Sequence, residues 1–444
     1  MHFCTALSDM FCSEAPAYSQ LRALAAAVNA SQSHTATQQP APAPNTLTIE
    51  RHGAIRLGAA TELRLVARLF ALMDMAPVGY YDLAPAGLPV HATAFRPVRP
   101  QALQDHPFRV FTSLLRLDAI ADPTLRDRVA ASLADRRIFS PRLNALVTQA
   151  EQQGGLSEPQ AAALIAESME TFRWHAQARI DQQFYDALSA IHPLIADVVA
   201  FHGPHINHLA PPVLDIDLAQ QRMREAGLPA KRIIEGPPRR HCPILLRQTA
   251  FQALPEPVRF ATAHGEVTGR HTARFGEIEQ RGIALTPKGH ALYDRQLRQC
   301  RDAVGPVTDD RQAQTYQHAL AHAFKAFPDD LETLRRERLA YFDYFAVDPA
   351  LLSARLSLNE ALASGAVSYR GITYEDFLPV SAAGIFRANL GNAAQTLLTP
   401  SGRQTAFEAA LGRPVIDPFQ TYAQQQRASL ARLGLDLDTP DHHD

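Results

Sequence analysis

Two stretches of the 444-residue chain concentrate side chains able to hold a metal or move a proton. The first is Phe201–Asp217, FHGPHINHLAPPVLDID, in which His202, His205 and His208 recur every three residues. Gly203, Pro204, Pro211 and Pro212 argue against a continuous helix through them. In an extended segment His202 and His208 face one way and His205 the other, so at most two share a metal without a bend. Histidines hydrogen-bonded within a polar loop account for the triplet equally well. The second stretch is Arg274–Arg281, RFGEIEQR, where Glu277 and Glu279 fall on the same face of a strand. A solvated strand face carries such a pair without any chemistry, whereas a carboxylate buried beside two histidines is a ligand set for a divalent metal. The residue types alone leave both readings open.

The string Phe275-Gly276-Glu277-Ile278-Glu279-Gln280-Arg281-Gly282 resembles the final-strand motif of the 4-hydroxyphenylpyruvate dioxygenases, F-x-E-I-I-Q-R with a glycine shortly after, whose glutamate binds iron. Upstream, His52 lies in ERHGAIRLG (residues 50–58) and His208 in GPHINHL (residues 203–209). These segments, in this order, resemble the 2-oxoadipate dioxygenase/decarboxylase family, the hydroxyglutarate synthases of bacterial lysine breakdown, within the vicinal-oxygen-chelate superfamily. Gly79-Tyr80-Tyr81-Asp82-Leu83 and His91-Ala92-Thr93-Ala94-Phe95-Arg96-Pro97 extend the likeness, which runs from about Glu50 into the C-terminal region.

The resemblance implies an α+β fold: a central cupped β-sheet of βαβββ modules, wrapped by helical insertions and a helical C-terminal region. It makes His52, His208 and Glu277 the metal ligands, with Glu279 two residues away in the same orientation. Arg56 becomes the arginine that grips substrate, and Val380-Ser381 part of the pocket wall. The implied cofactor is Fe(2+), and the implied reaction is oxidative decarboxylation and hydroxylation of 2-oxoadipate with O2, giving 2-hydroxyglutarate and CO2. Two histidines and one carboxylate leave three neighbouring coordination positions, enough for a chelating 2-oxo acid and dioxygen. The planar fork of Arg56 suits a second carboxylate. His91, Arg96, His202 and His205 are candidates to support the ligands through hydrogen bonds, or simply to hold loops together. Other divalent-metal chemistry on the same sheet, lyase, isomerase or hydrolase, is a competing reading, as is a non-catalytic metal-stabilised binder of dicarboxylates.

The elements that must position these residues are legible in outline. Strand patterns cover Thr48–Leu57, Val90–Val98, Phe108–Leu115, Ile244–Phe251 and Arg274–Ala284. Helical patterns cover Ala60–Met75, Pro123–Gln152 and Glu158–Ala200, then Thr308–Phe327, Asp330–Tyr344, Pro349–Ala363, Gly402–Leu411 and Asp417–Leu433. A short helix at Tyr18–Asn29 precedes a Pro-, Ala- and Gln-rich linker. The expected division is residues 1–47 as helix and linker, 48–300 as metal-binding core with a helical insertion at 123–200, and 301–444 as a mainly helical region completing the pocket. Forty-three basic and 45 acidic residues, well mixed, provide no sustained positive field for nucleic acid. Four scattered cysteines, no basic leader and no apolar run of membrane-spanning length lead to the expectation of a soluble, cytoplasmic protein acting on a small molecule.

Overall fold

The computed structural model describes residues 2–32, 47–253, 255–263, 265–305, 307–352, 356–378 and 403–437. Its centre is a curled seven-stranded sheet flanked by helices, so the fold is α+β. Strand β1 (His52–Leu57), the helix Ala60–Ala71, β2 (Met75–Asp82), β3 (Val90–Pro97) and β4 (Arg109–Leu115) form a βαβββ unit. Within it β1 runs parallel to β4, and β4-β3-β2 continue antiparallel. All residues of β1 and β4 are buried, the mark of strands covered on both faces.

The second half of the sheet repeats this plan in reduced form. Strand β5 (His208–Ala210) is followed by the helix Ile216–Glu225 and β6 (Leu246–Ala250). A separate hairpin, β7 (Glu256–Thr262) and β8 (Gly265–His271), precedes β9 (Phe275–Arg281). As β1 does with β4, β5 runs parallel to β9, while β6 pairs antiparallel with β9. Single bridges, Ala230 to Phe251 and Glu235 to Gln248, stand where the fourth strand of the unit would lie. The two halves join through the antiparallel pair β1 and β5.

Several helical expectations are corrected. Pro123–Gln152 divides into Pro123–Ala134 and Pro141–Gln153, because Ser140 caps a new helix and Pro141 opens it. Glu158–Ala200 divides into Glu158–Phe172, Gln182–Ile191 and Pro193–Ala200, restarted by the caps Asp181 and His192. Asp330–Tyr344 is helical only over Leu331–Arg336; after Arg338 turns left-handed (φ 55°), alternating Phe342 and Tyr344 enter β10 (Phe342–Ala346), paired with β11 (Val367–Gly371). The N-terminal helix is two helices, His2–Glu14 and Pro16–Gln32, and both belong to the core. The hydroxyls of Ser8 and Tyr18 donate to the buried Glu50 carboxylate, and Asn29 brackets the chain at Pro212 and Leu214.

Candidate metal centre

The register of three neighbouring strands assembles the site. Ala54 of β1 stands opposite His208 of β5, and residues opposite one another point to one face, as do residues two apart. His52 and His208 therefore share a face. Across the parallel pair, His208 stands opposite Phe275, which puts Glu277 on that face too. The Nε2 of His52 lies 2.9 Å from Oε1 of Glu277, and all three side chains, fully buried, bring a ligand atom within 4.8 Å of one another. Phe275 stacks on the His208 ring at 4.6 Å and Phe377 meets the His52 ring edge-on at 5.0 Å, walling the cluster with apolar surface.

The donor set fits a divalent metal. Nε2 of His52, both ring nitrogens of His208 and both carboxylate oxygens of Glu277 are buried without a hydrogen bond. Each unsatisfied buried polar group costs about 1–3 kcal/mol, so three residues that each bring a ligand atom within 4.8 Å of the others make a fitting seat for a cation. Donors about 2.1 Å from an ion and at right angles stand about 3.0 Å apart, close to the His52–Glu277 separation.

Glu279 occupies a different place from its neighbour two residues back. Its Oε2 is 2.6 Å from Nδ1 of His52, on the side of the ring away from Glu277. Arg281 clamps Glu279 from Nε at 2.5 Å and from Nη2 at 3.0 Å, with Arg51 and Arg109 within 3.7 Å and 3.6 Å. A carboxylate on Nδ1 makes that nitrogen the protonated one and leaves the Nε2 lone pair turned to the cluster. Burial works against the Glu279 charge, yet Arg281 and His52 hold its carboxyl well below the usual range. Burial likewise lowers the His52 imidazole, but the charge of Glu279 and the hydrogen bonding of Glu277 and Glu279 together outweigh it and the net shift is upward. The His208 imidazole is pushed well down by burial, then by the charges of His52 and Arg56.

Arg56, two residues beyond Ala54 on the same face of β1, is buried beside the cluster. Its Nη1 lies 2.5 Å from Oδ2 of Asp197, on the helix Pro193–Ala200. The other Asp197 oxygen is 2.8 Å from Nε2 of His271 and 3.3 Å from Nε2 of His205. Asp197, His205 and His271 also converge closely enough to ligate an ion, but Arg56 already places a cation against that carboxylate.

The remaining sequence candidates lie elsewhere. His91 packs on Phe407 and Tyr80, Arg96 is held in two hydrogen bonds by Asp376, and His202 is exposed near His175. Val380 and Ser381 fall outside the described residues. Sequence reasoning missed Asp197, His271, and the buried amides of Asn207 and Gln248, which also lack hydrogen-bond partners. Asp197 had left one signal, a lone acid in the apolar helix PLIADVVA. Among the described residues no helix is long and apolar enough to cross a membrane, and all four cysteines are free.

Comparison with known proteins places the chain in a family. Residues 3–389 match the family model described as 2-oxoadipate dioxygenase/decarboxylase. The chain is 48% identical over 441 residues to the 2-oxoadipate dioxygenase/decarboxylase of Pseudomonas putida, covering 96% of this chain and 94% of that one. It is 48% identical over 444 residues to the Escherichia coli enzyme of the same name, covering 98% and 97%. The crystal structure of the Pseudomonas putida hydroxyglutarate synthase in complex with 2-oxoadipate superposes with a TM-score of 0.86 at 45% identity, over 97% of this chain and 96% of that one. With a paired-module sheet, a buried His-His-Glu cluster and relatives alike over nearly their full length, this chain belongs to the 2-oxoadipate dioxygenase/decarboxylase family.

Proposed function

We propose that the protein converts 2-oxoadipate and O2 to 2-hydroxyglutarate and CO2 with Fe(II) held by His52, His208 and Glu277. The observation that carries this reading is one ligand atom from each of three fully buried side chains, His52, His208 and Glu277, within 4.8 Å of one another beside a buried arginine. The atoms balance: one carbon leaves as CO2, one oxygen of O2 enters the new carboxylate, and the other becomes the hydroxyl. When bound, Fe(II) supplies three adjacent positions at which a chelating 2-oxo acid and dioxygen meet.

The chain's own residues orient and exclude. Glu279, clamped by Arg281, fixes the His52 ring so that Nε2 faces the ligand point. Phe275 and Phe377 keep water from the chelated end. Arg56 offers its fork to the carboxylate farthest from the metal. The unpartnered amides of Gln248 and Asn207 are hydrogen-bonding groups available to the chelated end; Gln248 stands opposite Glu279, hence on the ligand face. Unpaired thiols fit a reducing, cytoplasmic setting.

The test is anaerobic loading of the chain with Fe(II), addition of 2-oxoadipate, and then oxygen. Oxygen uptake, CO2 and 2-hydroxyglutarate should appear in equal amounts. Binding of 2-oxoadipate without oxygen uptake would support a dicarboxylate-binding protein instead, and turnover with Zn(II) but without oxygen would point to lyase or hydrolase chemistry.

A further inference from the structure

Arg56 and Asp197 are buried and, taken together, electrically neutral. If Arg56 receives the distal carboxylate of the substrate, one guanidinium must face two carboxylates, and the pocket gains a negative charge with no added partner. Buried charge left uncompensated is unfavourable, so a positive charge has to come from somewhere close. Two neutralisable groups touch Asp197 on its other side: His271 at 2.8 Å and His205 at 3.3 Å.

The surroundings of these rings are built to tolerate a proton. Trp174 stacks parallel to His271 at 5.8 Å, Phe201 approaches it at 4.8 Å, and Tyr185 meets it edge-on at 5.9 Å, so aromatic rings surround the imidazole as they would a bound cation. The Tyr185 hydroxyl is 2.8 Å from Nδ1 of His271 and 3.4 Å from the Arg270 carbonyl. It can donate to a neutral ring, or accept from a protonated one while its own proton turns to that carbonyl. The network is therefore satisfied in both states of the ring. Nε2 of His205 is buried without a hydrogen bond, in reach of Asp197 once protonated.

Burial lowers the His205 imidazole more than Asp197 raises it; Arg274 adds to the lowering, and a proton on neighbouring His271 would too, so the neutral ring is favoured and the two rings share one proton at most. The titratable and charged groups that face the pair come from several elements: Asp197 from Pro193–Ala200 and Arg274 from the turn after β8 act on His205, Arg56 from β1 pairs with Asp197, and Tyr185 from Gln182–Ile191 meets His271.

We propose that His205 and His271 form a proton-accepting pair behind Asp197, so that a dicarboxylic acid entering at Arg56 is bound together with a proton that a monocarboxylic 2-oxo acid does not require. Asp197 is then a positioning residue that aims the Arg56 fork, and the two histidines are determinants of selectivity for the second carboxylate. This rests on Arg56 as the partner of that carboxylate.

The test compares 2-oxoadipate with 2-oxohexanoate, which has the same chelating end and six carbons but no distal carboxylate. Titration calorimetry of the metal-loaded chain under nitrogen, in buffers of different protonation enthalpy, reads the protons taken up. About one more proton should accompany 2-oxoadipate, matching the one charge it brings in. Correspondingly, above neutral pH its dissociation constant should rise more steeply than that of 2-oxohexanoate, by up to about tenfold per pH unit. His271→Gln or His205→Gln should shrink the proton difference and weaken 2-oxoadipate, with 2-oxohexanoate binding retained as the measure that the site is intact.

Equal proton counts for the two acids, with the preference for 2-oxoadipate present in the wild type and absent in Arg56→Ala, would overturn the proton pair while leaving Arg56 in its role. A proton difference undiminished in both histidine variants would overturn it as well. No preference between the two acids in the wild type would remove Arg56 from the distal carboxylate, and this inference with it.

Discussion

Glu277 and Glu279 point to one face of β9, yet they end on opposite sides of the His52 ring, and that separation predicts different consequences of removing each. Glu277→Ala should abolish stoichiometric Fe(II) binding, read by metal analysis after desalting. Glu279→Gln should keep the stoichiometry but weaken metal affinity about 10–100-fold, because an amide holds the His52 tautomer less firmly than a carboxylate clamped by Arg281. Equal metal loss in the two variants would contradict the assignment. Arg56 needs more care, since Arg56→Ala also leaves Asp197 buried without its guanidinium and should destabilise the fold by about 3–5 kcal/mol in denaturant. Arg56→Lys keeps the charge and loses the fork. It should retain iron while raising the KM for 2-oxoadipate well above its effect on a monocarboxylic 2-oxo acid.

At the scale of elements, strand β9, which carries the candidate ligand Glu277, depends on the N-terminal helix packed against it. A Cβ at Gly276 would come within 2.4 Å of the Phe251 ring and 2.7 Å of Leu21 on the helix Pro16–Gln32. Gly276→Ala should therefore cost about 1–3 kcal/mol through overpacking, measured as a lowered denaturation midpoint. It should also weaken the metal, since Glu277 is the next residue. Unchanged stability would mean that the helix moves aside freely. The segment after β11 reaches the site from another direction: Glu375 receives hydrogen bonds from Arg51 and Arg109, Asp376 holds Arg96, and Phe377 covers His52. Residues from the first helices and from the segment after β11 thus brace one sheet.

At the scale of the molecule, the candidate ligands come from both halves of the paired sheet, His52 from the first and His208 with Glu277 from the second. The registers also explain why the first half supplies no carboxylate. By analogy of pairing, His52 opposite Arg109 matches His208 opposite Phe275, so the counterpart of Glu277 on β4 is Phe111, packed against Tyr81 and Phe377. A metal across the junction should stabilise the whole fold by RT ln(1 + [M]/Kd), about 4 kcal/mol at a thousandfold excess over Kd. Thermal melts should accordingly rise with added Fe(II) under nitrogen in the wild type and stay flat in Glu277→Ala. A parallel rise in both would place the stabilising metal elsewhere.

Short-range patterns in the sequence were enough to mark β1, β3, β4, β6 and β9, because alternation and flanking turn residues are local properties of a strand. Motif likeness singled out His52, His208, Glu277 and Arg56; the structure brings the first three within 4.8 Å of one another and buries Arg56 on β1, the strand that carries His52. Periodicity could not see where long helical patterns break, since a mid-pattern cap such as Ser140 or Asp181 competes with apolar spacing that continues through it. Nor could it pair the segment after Arg338 with β11, a decision made by a partner some 25 residues away. The different placement of Glu277 and Glu279 is invisible to strand parity, because both have the same parity; it comes from Arg281, Arg51 and Arg109 drawing Glu279 to the far side of His52. The Asp197–His271–His205 network draws on a helix, a hairpin strand and a loop spread over 75 residues of chain, each unremarkable alone, and only burial of an acid among them beside Arg56 turns them into a single electrostatic unit.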